Sequence, residues 1–217
     1  MRAGVPALSA LALLVAATPA PANELTAPFG HPMTEEGQTV ETQILDDFNG
    51  DGYGDLAYVV RGDDQRFLRV VTSMAGEFDL DIHPPQALAL DPYPLGEGTL
   101  KVTQSAKGKV LVFDDLTGGT TATFSTHRFR WDAKLQAMRL IGLDATLYSR
   151  TFAHDGQEAS WNLLTGDLVT RTLRLKNGPG ERAYDKVGER KRKKRSPPVR
   201  LENSPGGDDL LGWPGAN

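Results

Sequence analysis

The segment Asp47-Phe48-Asn49-Gly50-Asp51-Gly52-Tyr53-Gly54-Asp55 sets hard oxygen donors at alternating positions of a short polar stretch. Asp47, Asn49, Asp51 and Asp55 occupy its first, third, fifth and ninth places, and the backbone carbonyl of Tyr53 stands seventh. Calcium is a hard cation that takes six to eight oxygens at roughly 2.3–2.6 Å, and a tight loop with this alternation turns such groups inward. Gly52, sixth in the run, permits a sharp turn that a residue with a Cβ resists. Three carboxylates around one divalent ion leave the site near neutrality. The expected chemistry is Ca2+ binding, with Asp47, Asn49, Asp51, Tyr53 and Asp55 as ligands. An EF-hand is excluded, because it needs a bidentate Glu in twelfth place and a helix on each side. Here the twelfth residue is Tyr58, and strand-like apolar runs flank the loop.

Other reactive groups are sparse. The chain has no cysteine, hence no thiol nucleophile and no disulfide. It has neither a Gly-x-Ser-x-Gly elbow nor a phosphate-binding glycine loop. His31, His83, His127 and His154 share no zinc-ligand spacing. Asp79 and Asp81 have the strand spacing that a glycosidase pair would use, and Asp114 adjoins Asp115, but both pairs read as solvated acids. Arg61-Gly62-Asp63 reads as a plain turn. No catalytic residue is assigned.

The loop resembles those of FG-GAP or VCBS-type repeats, where the same ligand pattern joins two strands of an integrin-like propeller blade. Such repeats place Phe-Gly shortly before the loop and Gly-Ala-Pro shortly after. In this chain Phe29-Gly30 lies further upstream, and Val59-Val60-Arg61-Gly62 replaces the second element. A second copy of the loop is lacking, so a complete propeller of several blades is excluded. Phe129-Arg130-Trp131, Leu140-Ile141-Gly142 and Ser160-Trp161-Asn162-Leu163-Leu164-Thr165-Gly166 look like the closing strands of small exported bacterial proteins that combine one such loop with a β-meander. That resemblance implies an envelope location and no particular activity.

The elements that position the loop are short strands. Thr42-Gln43-Ile44-Leu45 enters it and Leu56-Ala57-Tyr58-Val59-Val60 leaves it. Further apolar or alternating runs follow at Phe67–Val71, Thr99–Thr103, Val110–Phe113, Thr121–Trp131, Met138–Gly142, Ala145–Phe152, Glu158–Leu164 and Leu168–Leu175. Pro84, Pro85, Pro92 and Pro94 break the chain between them, and Asp155-Gly156 and Thr165-Gly166-Asp167 mark turns. This spacing predicts an all-β fold, an antiparallel meander closing as a sandwich or curved sheet.

The ends differ in composition. Arg2, the apolar run Leu8–Ala17 and Ala20-Pro21-Ala22 have the form of a signal peptide over residues 1–22, too short to span a bilayer. Residues 23–38 read as an irregular lead-in, 39–175 as the β domain, and 176–217 as a flexible tail rich in Gly, Pro and charge, whose last apolar residues Leu210, Leu211 and Trp213 are candidates to dock on the body. Removing Arg2 with the leader lowers Lys plus Arg from 24 to 23 against 28 acids, a net charge of about −5. Such a balance disfavours nucleic acid as a partner. The basic run Arg190, Lys191, Arg192, Lys193, Lys194 and Arg195 reads as a solvated segment, the functional alternative being contact with an anionic envelope polymer or lipid. The expectation is a periplasmic or secreted calcium-binding module with an unidentified envelope or protein partner. The rival expectation is a hydrolase whose acids come from separate strands.

Overall fold

The computed structural model describes residues 31–75, 80–176 and 184–212. The expected signal peptide, residues 23–30 of the lead-in, Asp79 and Trp213 lie outside them. The first half forms β1 (Thr39–Asp46), β2 (Asp55–Arg61), β3 (Arg66–Val71), the short pair β4 (Ser73–Ala75) and β5 (Leu80–Ile82), and β6 (Gln86–Ala89). β1, β2, β3 and β6 lie side by side in that order, all antiparallel. β2 is the central apolar run of this sheet, and its side chains alternate between two apolar clusters, as a strand period of two requires. Ala57 and Val59 enter the main core, while Leu56, Tyr58 and Val60 join Val71 and Ile82 on the other face. Residues 31–38 carry no strand, and the Met33 carbonyl accepts hydrogen bonds from the Tyr58 hydroxyl at 3.2 Å and Arg69 at 2.9 Å.

The second half is a larger sheet. It comprises β7 (Thr99–Ser105), β8 (Gly108–Gly118), β9 (Thr121–Asp132), β10 (Ala137–Ser149), β11 (Gly156–Asn162), β12 (Asp167–Leu175) and β13 (Tyr184–Lys193), each paired antiparallel with the next. β14 (Val199–Arg200) completes it by pairing with β10 at Arg139 and Leu140. The fold is all-β, and neither large sheet closes into a barrel. Where the sequence suggested two runs at Met138–Gly142 and Ala145–Phe152, one strand runs through. A register shift between Leu140 and Gly142 absorbs the irregularity. Leu68 and Leu88 of the small sheet share a core with Leu111, Phe113, Phe129 and Leu140 of the large one.

The expected flexible tail is instead part of the fold. β13 pairs along β12 from Tyr184 to Lys193, and after β14 come a 3-10 turn, Leu201–Asn203, and the short helix α1 (Gly207–Leu211). Leu201 is fully buried and Leu210 nearly so. Leu210 is thus docked, as its apolar character allowed, while the charge and proline of this segment hide the Leu201 anchor and a strand held by its neighbour's backbone. Among the described residues no helix is long and apolar enough to cross a membrane.

Candidate metal centre

Asp46 and Asp55 pair as the last residues of β1 and the first of β2, so residues 47–54 form the connecting loop. Gly50 and Gly52 have φ of 82° and 89°, the left-handed region that favours glycine, and the space beside each is open. Conformation, not crowding, selects glycine here. Phe48, 3% exposed, pins the loop to the main core.

Side chains of the loop brace its backbone. Asp47 accepts the Gly50 amide at 2.6 Å on one oxygen and the Gly52 amide at 3.0 Å on the other. Asn49 Oδ1 accepts the Asp51 amide at 2.9 Å, and Asp51 Oδ1 accepts the Tyr53 amide at 2.9 Å. Asn49 Nδ2 donates to Asp51 Oδ2 at 3.1 Å and to the Ser73 carbonyl at 2.7 Å. Asp55 lies beneath. Its Oδ2 accepts the Phe48 and Asn49 amides at 2.7 and 3.1 Å, and its Oδ1 accepts the Ser73 amide and hydroxyl at 2.7 and 2.8 Å.

A carboxylate offers about four acceptor sites. Asp55 therefore has all of its sites engaged by protein donors, whereas Asp47 keeps one free on each oxygen. Asp47, Asn49, Asp51 and the Tyr53 carbonyl are the remaining groups with the hard-oxygen chemistry calcium takes. The carboxylates are spread along the loop: among the described residues no three acidic or histidine side chains gather at one point as a ready cation cage. Ser73, on β4, is a member of the site that spacing within the loop could not reveal.

The charge balance is distinctive. Asp55 is fully buried, yet it forms no ion pair among the described residues, and neither do Asp47 or Asp51. Burial pushes the Asp55 carboxyl up to about 6, in spite of the Ser73, Phe48 and Asn49 hydrogen bonds that favour its charged form. By contrast Asp46, just outside the loop, is paired with Lys109.

Asp114, Asp115, Asp144 and Glu158 are engaged by cations. Asp114 and Asp115 face opposite sides of β8, Asp114 bonding Lys101 at 2.6 Å and Asp115 buried against Arg66. An open groove on the outer face of the large sheet holds Asp144 and Glu158. Arg128 pairs with Asp144 at 2.6 Å, and Arg171 and Lys186 each pair with Glu158 at 2.5 Å. Burial raises the Glu158 carboxyl, but hydrogen bonds from Lys186 and Arg171 outweigh it and hold the group below the ordinary range. Such a carboxyl is a poor proton donor near neutrality. Arg61-Gly62-Asp63 opens the tight turn between β2 and β3, closed by the Gly62 amide on the Gln65 carbonyl at 2.8 Å. No protein-family model matches the chain, and no curated protein or solved structure shows significant similarity to it.

Proposed function

We propose that this chain is an exported calcium-binding β protein, periplasmic or secreted, that serves as a non-enzymatic binding or structural module. One observation carries the reading: three carboxylates stand in or at the end of one short loop, one of them buried, and among the described residues no cationic side chain forms an ion pair with any of them. Asp47, Asn49, Asp51 and the Tyr53 carbonyl would hold the ion, and Asp55 orients the loop from below through Phe48, Asn49 and Ser73. When bound, the ion supplies the missing counter-charge. The FG-GAP or VCBS resemblance supports the same reading. The signal-like composition of residues 1–22 supports export, and N-terminal sequencing of the mature protein is expected to start at or near Asn23.

Because the ion binds only the folded loop, it stabilises by about 2.7 kcal/mol at a hundredfold excess over its Kd. Calorimetric titration with calcium, using magnesium as control, tests this. The expected result is heat at millimolar calcium or below and a melting temperature that falls in chelator. No heat and an unmoved melting temperature would overturn it. Asp51→Ala should cut calcium affinity more than tenfold, and in chelator should cost only the exposed bonds that Asp51 accepts from Tyr53 and Asn49, about 1 kcal/mol. Asp55→Ala should instead destabilise the protein even without calcium, because it strands four donors.

The partner we propose is an anionic envelope polymer or lipid, engaged by the basic run at the edge of the large sheet. Lys191 pairs with Glu189, Lys193 with Asp167, and Lys194 lies over the Trp161 ring. Arg190, Arg192 and Arg195 are exposed without an ion-pair partner among the described residues, so these three are the groups available to it.

A further inference from the structure

Residues two apart on a strand share a face, and facing residues of neighbouring strands stand side by side on it. Phe124 on β9 faces Thr146 on β10, which faces Glu158 on β11, which faces Arg171 on β12. In the adjoining row Asp144 on β10 faces Ser160 on β11. All six side chains therefore lie on the outer face of the large sheet, where they line one open groove of about 320 Å³.

Phe124 is the least expected of them. Of the large apolar side chains left exposed among the described residues, Met33, Tyr53, Tyr93 and Leu164 stand in loops or turns, and Val40 and Leu45 on the edge strand β1. Phe124, 41% exposed, stands on an interior strand. The groups beside it are polar and keep hydrogen-bonding capacity to spare. A carboxylate offers about four acceptor sites. Glu158 gives one oxygen to Arg171 and the other to Lys186, and Asp144 gives one to Ser160 and the other to Arg128, so each oxygen keeps a site. Arg171 is bound to Glu158 and Glu189 and has N–H groups left over. Every charge in the groove has an opposite charge beside it, which leaves an ionic ligand no net attraction.

We propose that this groove binds a neutral oligosaccharide. The negative face of the Phe124 ring attracts the C–H bonds on the flat side of a sugar, and the contact removes apolar surface from water. Sugar hydroxyls both donate and accept; they find acceptors at Asp144 and Glu158 and donors at Arg171. The row from Phe124 to Arg171 crosses from β9 to β12, roughly 14 Å at the usual strand separation, which suits a short oligosaccharide better than a single sugar. Glu158, held charged by its two cations, accepts a hydroxyl and delivers no proton, so the groove binds without cleaving. It shares no residue with the calcium loop, and either reading can fail without the other.

Cellohexaose, chitohexaose and maltoheptaose are titrated separately into the full chain by calorimetry, with polygalacturonate as the anionic comparison. At least one neutral probe should bind. Phe124→Ala and Phe124→Leu should each weaken that binding at least about fivefold, and Phe124→Trp should preserve it, while the melting temperature stays close to that of the unaltered chain. The leucine variant keeps apolar bulk without the ring, so it separates stacking from burial. Absence of binding by every neutral probe overturns the proposal, as does binding that survives Phe124→Ala. Polygalacturonate held through Phe124 more tightly than any neutral probe overturns it too. A mass that rises with protein concentration in light scattering, and no longer does so in Phe124→Ala, would put a second copy of the chain in the groove and overturn it as well.

Discussion

Arg66 is the largest fully buried side chain, and it joins the two sheets. From β3 it reaches both oxygens of Glu41 on β1 at 2.7 Å and both oxygens of Asp115 on β8 at 3.0 Å. Burial raises the Glu41 carboxyl, but the Arg66 hydrogen bond, then the Gly98 amide, keep it below the ordinary range. Removing the arginine leaves two buried carboxylates without a partner, so Arg66→Met should cost about 3–5 kcal/mol in a urea titration. Replacing all three residues with apolar ones of similar size should cost far less. His127 is the second such residue. Its ring stacks on Phe129 at 5.9 Å, Nε2–H donates to the Pro205 carbonyl at 2.9 Å, and Nδ1 is buried without a partner among the described residues. Burial pushes the imidazole below its ordinary value, opposed by the Pro205 bond and the Asp115 charge. A depressed folded-state value means that the unfolded chain takes the proton first, so stability is lost as pH falls below about 6.5. The melting temperature should drop between about pH 7.5 and pH 5.5, and His127→Phe should remove much of that drop. At this scale the sequence was legible where chemistry is local. The donors of the loop follow one another, and their turn-forming bonds span two to five residues. Ser73, Arg66 and His127 were not legible, because their hydrogen-bond partners come from distant parts of the chain.

Strands were legible because apolar and β-branched residues alternate with polar ones and turn residues separate them. The C-terminal elements were not, since β13 is held by the backbone of β12 and its own side chains are mostly charged. That charge has a structural use. β13 is an edge of the large sheet, and exposed Lys and Arg along an edge discourage another strand from pairing there. Replacing Arg190, Arg192 and Arg195 together with Thr should promote self-association, visible as a concentration-dependent mass in light scattering. The final segment bears on stability directly. Leu201→Ala should cost about 2–5 kcal/mol, since its side chain is fully enclosed. Ending the chain after Lys176 should lower the melting temperature by many degrees, in contrast to the small change expected of a loose tail.

For the molecule as a whole, the all-β architecture could be read from the spacing of runs and turns, but not the division into two sheets around one core. That division depends on pairings such as β3 with β6 and β10 with β14, which bring together residues far apart in the chain. The Met138 amide donates to Gln86 at 2.9 Å, and the turn carrying Leu201 touches β6. The inner face of the small sheet is covered mainly by β8, β9 and β10, and the cover over β6 is completed only by the last part of the chain. A chain delivered N-terminus first would hold Leu68 and Leu88 in water until the strands carrying Leu111, Phe113, Phe129 and Leu140 arrive, and would leave β6 partly open until Leu201 follows. The incomplete chain is therefore the species most exposed to aggregation. Closing such distant pairings is slow for entropic reasons, so stopped-flow refolding should take milliseconds to seconds.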